Sequence, residues 1–414
     1  MTIKFDALKI FSEKKQLEIF ILGIYSGMPL YVIYSTLAAW LKTESISLEI
    51  ITSIAIARIF YSLKLFWAPF VDHVQLPYIH YIGLRKSWMI FMICLITIVM
   101  FSYSYLEPTH SMTSIFILTL LLGFASATLD VVIDAYRIDT VEKSKLAVAA
   151  ASAVFGYRIG GLIAGAGAFY IAHNYGWHCV FYFISVLYLI GIFFVLSLKE
   201  QGRNKPRIAI DIKTWKRIVI EPFIDFFQRK YSFTILLAII FYKLGDAMLG
   251  VVATPFYMKL NFSLQEIAKI VKIYGFGATI FGAYLGGIIM YKYGNIRGLI
   301  ICGIAQSITN LAFVWLNYQG HDLNALTITI TVENIASGMG DAALIGYLSY
   351  LCNKHFSATQ YAMLSSSSGL FSHSIVAFGG KIVQTIGWDL YFIMTSILAC
   401  PGLLLLLLLH SKSK

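Results

Sequence analysis

The chain has 414 residues, 58% of them hydrophobic and 13% charged, with a formal net charge of +11 and a mean hydropathy of +0.75. An ordinary globular domain carries about a quarter charged residues, so a secreted enzyme, a disordered chain and a nucleic-acid-binding domain all fit poorly. What fits is an all-α polytopic membrane protein. A bilayer-crossing helix takes about 20 mostly apolar residues, and twelve of them account for the apolar fraction.

In chain order, apolar runs bounded by charges and turn residues predict six helices in the first half, at 17–41, 48–71, 87–106, 112–134, 146–172 and 177–198. Six more follow at 233–258, 264–290, 297–316, 325–351, 358–383 and 387–409. The first run is long and shows no small-residue cleavage site, so it reads as a retained span. Gly27-Met28-Pro29 inside it should kink or break the helix, and the carbonyls so freed are tolerated only beside a cavity. Gly156/Gly160, Gly161/Gly165 and Gly282/Gly286 have the spacing of helix-packing seams. Between the halves lies a basic segment from Lys199 to Tyr231. In it Trp215, Ile218, Val219 and Phe223 alternate with Lys216, Arg217 and Glu221, which suits a helix on an anionic membrane surface or a solvated linker. The five cysteines are scattered, so neither a disulfide framework nor a zinc site is expected.

Lys and Arg gather in alternate loops. One set holds Lys14 and Lys15, Arg85 and Lys86, Arg137, Lys143 and Lys145, and nine basic residues between Lys199 and Lys230. The opposite loops offer little beyond Lys42, Lys259 and Lys381. By the positive-inside rule both termini are cytoplasmic, which demands an even number of crossings.

The second half echoes the first at one offset of 211 residues: Ala125-Ser126, Asp130 and Tyr136 return as Ala336-Ser337, Asp341 and Tyr347. Gly83 and Lys86 return as Gly294 and Arg297, and Gly176-Trp177 as Gly387-Trp388. The expected organisation is two pseudo-symmetric six-helix bundles, 1–198 and 232–414, joined by a basic cytoplasmic linker at 199–231. That is the major facilitator layout, with cargo near the midplane between the halves.

Ionisable residues inside apolar helices should face a partner or an aqueous passage, because a central charge costs about 2.5–3.5 kcal/mol even on the lenient insertion scale. Asp130 and Asp134 stand four apart on one helix face and are the candidate proton-coupling pair. The bland reading of Asp134 is a structural bond to Arg137. Arg58, Lys64, Tyr157, Arg158 and Asp341 are candidate cargo contacts. Arg158, among glycines, suits either a bidentate grip on a cargo carboxylate or a pair with Asp130. Lys243 and Asp246 are expected to bond each other, Glu333 is a further interior carboxylate, and His373 reads as a hydrogen-bonded interior histidine. Trp67 to Asp72 followed by Gly83-Leu84-Arg85-Lys86 resembles the loop signature of the facilitator superfamily. There Asp72, Arg85 and Lys86 would gate one access state, with Asp72 on a neighbouring helix N-terminus.

Gly27-Met28-Pro29-Leu30 with Thr36 to Trp40, Lys64 to Asp72, Ser126 to Ala135 and Gly156-Tyr157-Arg158-Ile159-Gly160 resemble the AmpG muropeptide permeases, strongly over about 20–200. The resemblance implies proton-driven import of anhydro-muropeptides, anionic sugar–peptide fragments of the cell wall, across the bacterial inner membrane. It implies no cofactor or metal and no nucleic acid, the partners being cargo, protons and the bilayer, with a monomer as the expected state. Leu129 and Ala38 stand where that family usually has Gln, and both swaps remove amides suited to a sugar or peptide. Acetyl-CoA transporters are more distant relatives. Another anionic cargo, such as a peptide or a nucleotide-linked metabolite, is the alternative. A membrane-embedded transferase holding a metal at Asp130 and Asp134 is the remote one.

Overall fold

The computed structural model describes residues 10–412 other than 48–49, 52–53, 78, 201–211 and 377; the side chains of Arg58, His373 and residues 212–217 are among those that also lie outside the described set. The described elements are helices: α1 (Lys14–Thr43), α2 (Ala68–His73), α3 (Leu84–Tyr103), α4 (Pro108–Thr140), α5 (Lys143–Tyr175) and α6 (Trp177–Ser197), then α7 (Ile212–Phe227) in the linker. After it come α8 (Ser232–Lys259), α9 (Ile267–Tyr293), α10 (Asn295–Gln319), α11 (Leu323–Leu351), α12 (Ser357–Val376), α13 (Gly379–Ile386) and α14 (Trp388–Lys412).

Among the described residues nine helical segments are long and apolar enough to cross a membrane. Three of the twelve predicted spans fall outside that set, each for a visible reason. The second is broken into the short pieces Ala55–Arg58, Ile59–Leu63 and Lys64–Phe66 followed by α2. Pro69 sits at the start of α2, and with no N–H to donate it cannot continue a helix from Leu65. The tenth, α11, has 29 residues but carries Glu333, Asn334 and Asp341. The eleventh is divided into α12 and α13 on either side of residue 377. α4 runs on to Thr140, six residues beyond its predicted end. At 1.5 Å per residue its 33 residues reach about 50 Å, well past a hydrocarbon core of about 30 Å. Its last turns therefore stand on the linker side of the membrane.

Pro29 does not break α1; the helix passes through it into a π-helical turn at Val32–Thr36 and continues to Thr43. The carbonyl that Pro29 leaves without its helical partner is that of Tyr25, and it accepts the Tyr188 hydroxyl of α6 at 2.7 Å. The expectation that the freed carbonyl borders a cavity is corrected: a neighbouring helix satisfies it. α1 and α5 touch backbone to backbone, so a Cβ on Gly156 would lie 2.0 Å from the Phe20 carbonyl oxygen and one on Gly160 2.3 Å from that of Ile24. Gly282 and Gly286 meet Ile335 and Met339 of α11 in the same way. Gly161 and Gly165 form no such seam, for the first abuts the Tyr31 ring and the second has nothing within 4 Å.

The helices before the linker meet those after it on the linker side. Ala151 of α5 clusters with Ala283 of α9 and Ala342 of α11, with Phe11 packed alongside. The Phe11 and Tyr284 rings lie 4.4 Å apart, and Gly346 of α11 presses on Ala147. Small residues here let three helices approach closely.

Candidate functional site

Where the two sets of helices diverge above that seam, a cavity of about 430 Å³ opens between α1, α4 and α5 on one side and α11 and α12 on the other. Lys64, Asp130, Asp134, Tyr157, Arg158 and Asp341 all line it. Six of the seven residues singled out as proton-coupling or cargo contacts are thus brought to one wall system; the side chain of the seventh, Arg58, lies outside the described residues.

The charges are mostly spoken for. Lys64, in the short turn before α2, donates to Asp130 Oδ2 at 2.6 Å, and Ser26 of α1 donates to Oδ1 at 2.9 Å. Asp134 is held by Arg137 Nη1 at 2.8 Å, and Arg137 in turn donates to Ser349 Oγ across the seam and lies over the Tyr361 ring. Lys243 bonds Asp246 at 2.6 Å, as expected, and bonds Asp341 as well. Asp130 and Asp134 thus line the same cavity but bond cations rather than each other. Each has its own cation, and among the described residues no three His, Cys, Asp or Glu side chains gather as metal ligands.

Arg158 is different. No ion pair or hydrogen bond holds its guanidinium among the described residues, and it lines both this cavity and a second, of about 250 Å³, walled by α8, α9 and α11. In this state Arg158 does not pair with Asp130, whose carboxylate accepts from Lys64 and Ser26. The α5 seam explains the placement. With Gly156 and Gly160 pressed on α1, the intervening Tyr157 and Arg158 are turned to the flanks, where the helices part.

The gating residues lie below the cavity on the linker side. Asp72 is fully buried and accepts from the backbone N–H of Ala358 at 3.1 Å and of Thr359 at 2.8 Å, and from the Thr359 hydroxyl at 2.7 Å. These are first-turn donors of α12, which have no partner within their own helix. Arg85 donates to Asp72 at 2.7 Å, to Asp139 at 3.0 Å and to Ser357 Oγ at 2.9 Å. Burial raises the Asp72 carboxyl, but Arg85 and Thr359 outweigh it and hold the group below its ordinary value of 3.8. Lys86 takes no part in this contact. Its ammonium donates to the carbonyls of Leu196 and Leu198 at 2.8 and 3.0 Å, closing the C-terminus of α6.

A model of one family matches the chain twice, over residues 19–242 and 235–414. The chain belongs to the Major Facilitator Superfamily. A putative transporter, AmpG 4, of Rickettsia conorii (strain ATCC VR-613 / Malish 7) is 49% identical over 407 residues, which are 98% of each chain. The anhydromuropeptide permease of Escherichia coli (strain K12) is 33% identical over 403 residues, 97% of this chain and 80% of that one. In fold, the proton:xylose symporter XylE bound to 6-bromo-6-deoxy-D-glucose matches with a TM-score of 0.70 over 97% of this chain and 95% of its own, at 14% identity.

This facilitator is thus a multi-pass membrane transporter, and several residues of its cavity escaped the sequence reading. Ser26 precedes the Gly-Met-Pro run and so carried a signal, as did Ser126 of the repeat, which lies behind the lining as a partner of the Tyr61 hydroxyl. Tyr61 and Tyr361 carried none, since aromatics abound along every span. Leu129, where the resemblance expected Gln, is fully buried in the core of the first helices and lines neither cavity. Ala38 lines neither one either.

Proposed function

We propose that this facilitator imports anhydro-muropeptides, or closely similar anionic sugar–peptides, by proton-coupled alternating access. The observation that carries the reading is Arg158, a guanidinium without a partner among the described residues at the junction of two cavities, where a cargo carboxylate would supply the missing bidentate bond. The names of the two relatives point to the same cargo, AmpG and anhydromuropeptide permease. The burial of Leu129 weakens one of the two objections from sequence, because the absent amide would not have faced cargo.

In this reading 1–198 and 232–414 form two six-helix bundles joined by 199–231, a division supported by the two family matches. The basic linker side is cytoplasmic and the membrane is the bacterial inner one, so the seam closes the cytoplasmic entrance and the state is outward-facing. Asp72 and Arg85 latch that state, and Asp130 and Asp134 exchange protons as cargo and cations compete for them. The protein acts as a monomer, and transport rather than catalysis is its work.

The test is uptake of a labelled anhydro-muropeptide into proteoliposomes, with and without an acid-outside pH gradient. Accumulation above equilibrium in the presence of the gradient, and equilibration without it, is the expected result. Absence of uptake, or uptake indifferent to the gradient, overturns the proposal.

A further inference from the structure

Four carboxylates inside the spans, Asp130, Asp134, Asp246 and Asp341, each lie within bonding distance of a Lys or Arg. Glu333 does not. It stands near the middle of α11 and lines the second cavity, and among the described residues no ion pair or hydrogen bond holds its carboxylate. Its neighbour Asn334 is committed, donating to the Ile330 carbonyl and accepting from Thr279. Arg158 lines the same cavity and is not within ion-pair distance of Glu333. Three ionisable side chains, Arg158, Lys272 and Glu333, thus line one cavity of about 250 Å³, and among the described residues no ion pair joins any two of them, at a depth where an uncompensated charge is expensive.

The charge distribution in the larger cavity has the same sense. Its α5 wall presents Arg158, whereas its α11 wall presents Asp341, whose cation Lys243 is shared with Asp246 and is not among the lining residues. A purely anionic cargo would satisfy only the first wall. A group bearing both a carboxylate and an ammonium satisfies both.

We infer that the second cavity is a cargo subsite for the zwitterionic part of an amino acid or peptide, in which Arg158 takes the carboxylate and Glu333 takes the ammonium. This rests on the cargo reading above, and deepens it by assigning a residue that selects for a free amine. An ammonium bonded to a carboxylate in a water-poor pocket is a strong, charge-assisted contact, whereas an acetylated amine leaves the carboxylate unpaired.

The test compares uptake of a labelled anhydro-muropeptide having a free amine with the same compound after acetylation of that amine. Wild type should prefer the free amine at least about tenfold, in line with about 1.5–3 kcal/mol for a charged hydrogen bond. E333Q should erase the preference by lowering free-amine uptake to the acetylated level, and E333D should restore part of it. As Glu333 bonds nothing among the described residues, E333Q should fold, which an unchanged thermal midpoint verifies. An independent arm uses the dipeptide alanyl-alanine at millimolar concentration: it should raise the thermal midpoint of wild type but not of E333Q. Dipeptide protection without muropeptide uptake would uphold the subsite and overturn the cargo reading. Muropeptide uptake with no amine preference, or an equal loss of both compounds in E333Q, would overturn the subsite and leave the cargo reading standing.

Discussion

Lys64 and Arg158 are both cations among apolar helices, and what surrounds them makes them different tools. Lys64 is buried and bonded to Asp130, so each neutralises the other. Asp130→Asn removes one partner and leaves an ammonium unpaired, a change that costs about 3–5 kcal/mol where the pair is fully buried, and less here because Asp130 borders the cavity. The expected result is loss of proton-driven uptake with a lowered thermal midpoint. Lys64→Met combined with Asp130→Asn should recover the midpoint without recovering uptake; recovery of neither, or of both, contradicts the pairing. Arg158 holds nothing among the described residues, so Arg158→Lys should leave the midpoint where it is. It should weaken anionic cargo by about 1.5–3 kcal/mol, read as a dissociation constant by calorimetry, because a lysine cannot reproduce the planar two-pronged bond. Unchanged affinity would remove Arg158 from the cargo site. That Lys64 takes Asp130 was not legible in the sequence. Spacing shows which residues share a helix face, but these two are 66 apart in the chain, and only packing decides who reaches whom.

Between elements, hydropathy and small-residue spacing told most of the story, and their failures share one cause. Runs such as 177–198 were legible because nothing interrupts them. The second span was not, since Pro69 and the turn at Lys64–Phe66 break a run that hydropathy alone joins. The glycine pairs divide in the same way: spacing cannot tell a glycine that meets a helix from one that meets space. Gly156→Ala drives a methyl onto the Phe20 carbonyl, 2.0 Å away, and since that atom is backbone, no rotamer relieves the clash. Overpacking of this kind costs about 1–3 kcal/mol or more, so the thermal midpoint should fall. Gly165→Ala has nothing within 4 Å to meet and gains helix propensity, about 0.8–1.0 kcal/mol for Gly to Ala, so its midpoint should hold or rise. Equal falls in the two variants would mean that helix flexibility, not contact with α1, sets the requirement at both positions.

At the scale of the molecule, the repeat in the sequence announced two related halves, but not the state in which they would be found. In the proposed gating reading that state is held by the fit of Asp72 to the first turn of α12, across 286 residues of chain, a contact that no local pattern encodes. Because its native bonds hold the Asp72 carboxyl below 3.8, its contribution to closure is fully present above the unfolded value. It is lost only as pH falls through the lower folded one. Between about pH 5 and pH 8 the latch should therefore keep its strength, and any proton-driven opening in that window must originate in the cavity rather than at the latch. Spin labels at Ser144 and Lys292, exposed positions on the linker side of the two halves, with the native cysteines replaced, would report the separation. Wild type should give one short distance, unchanged on moving the empty carrier from pH 8 to pH 5. Asp72→Asn, which leaves Arg85 without that charge and weakens acceptance from the α12 amides, should add a longer population at both pH values. A wild-type distribution that lengthens at pH 5 as Asp72→Asn does would make Asp72 itself the proton switch. An Asp72→Asn distribution matching wild type would show that the alanine seam of α5, α9 and α11 keeps the linker side shut without it.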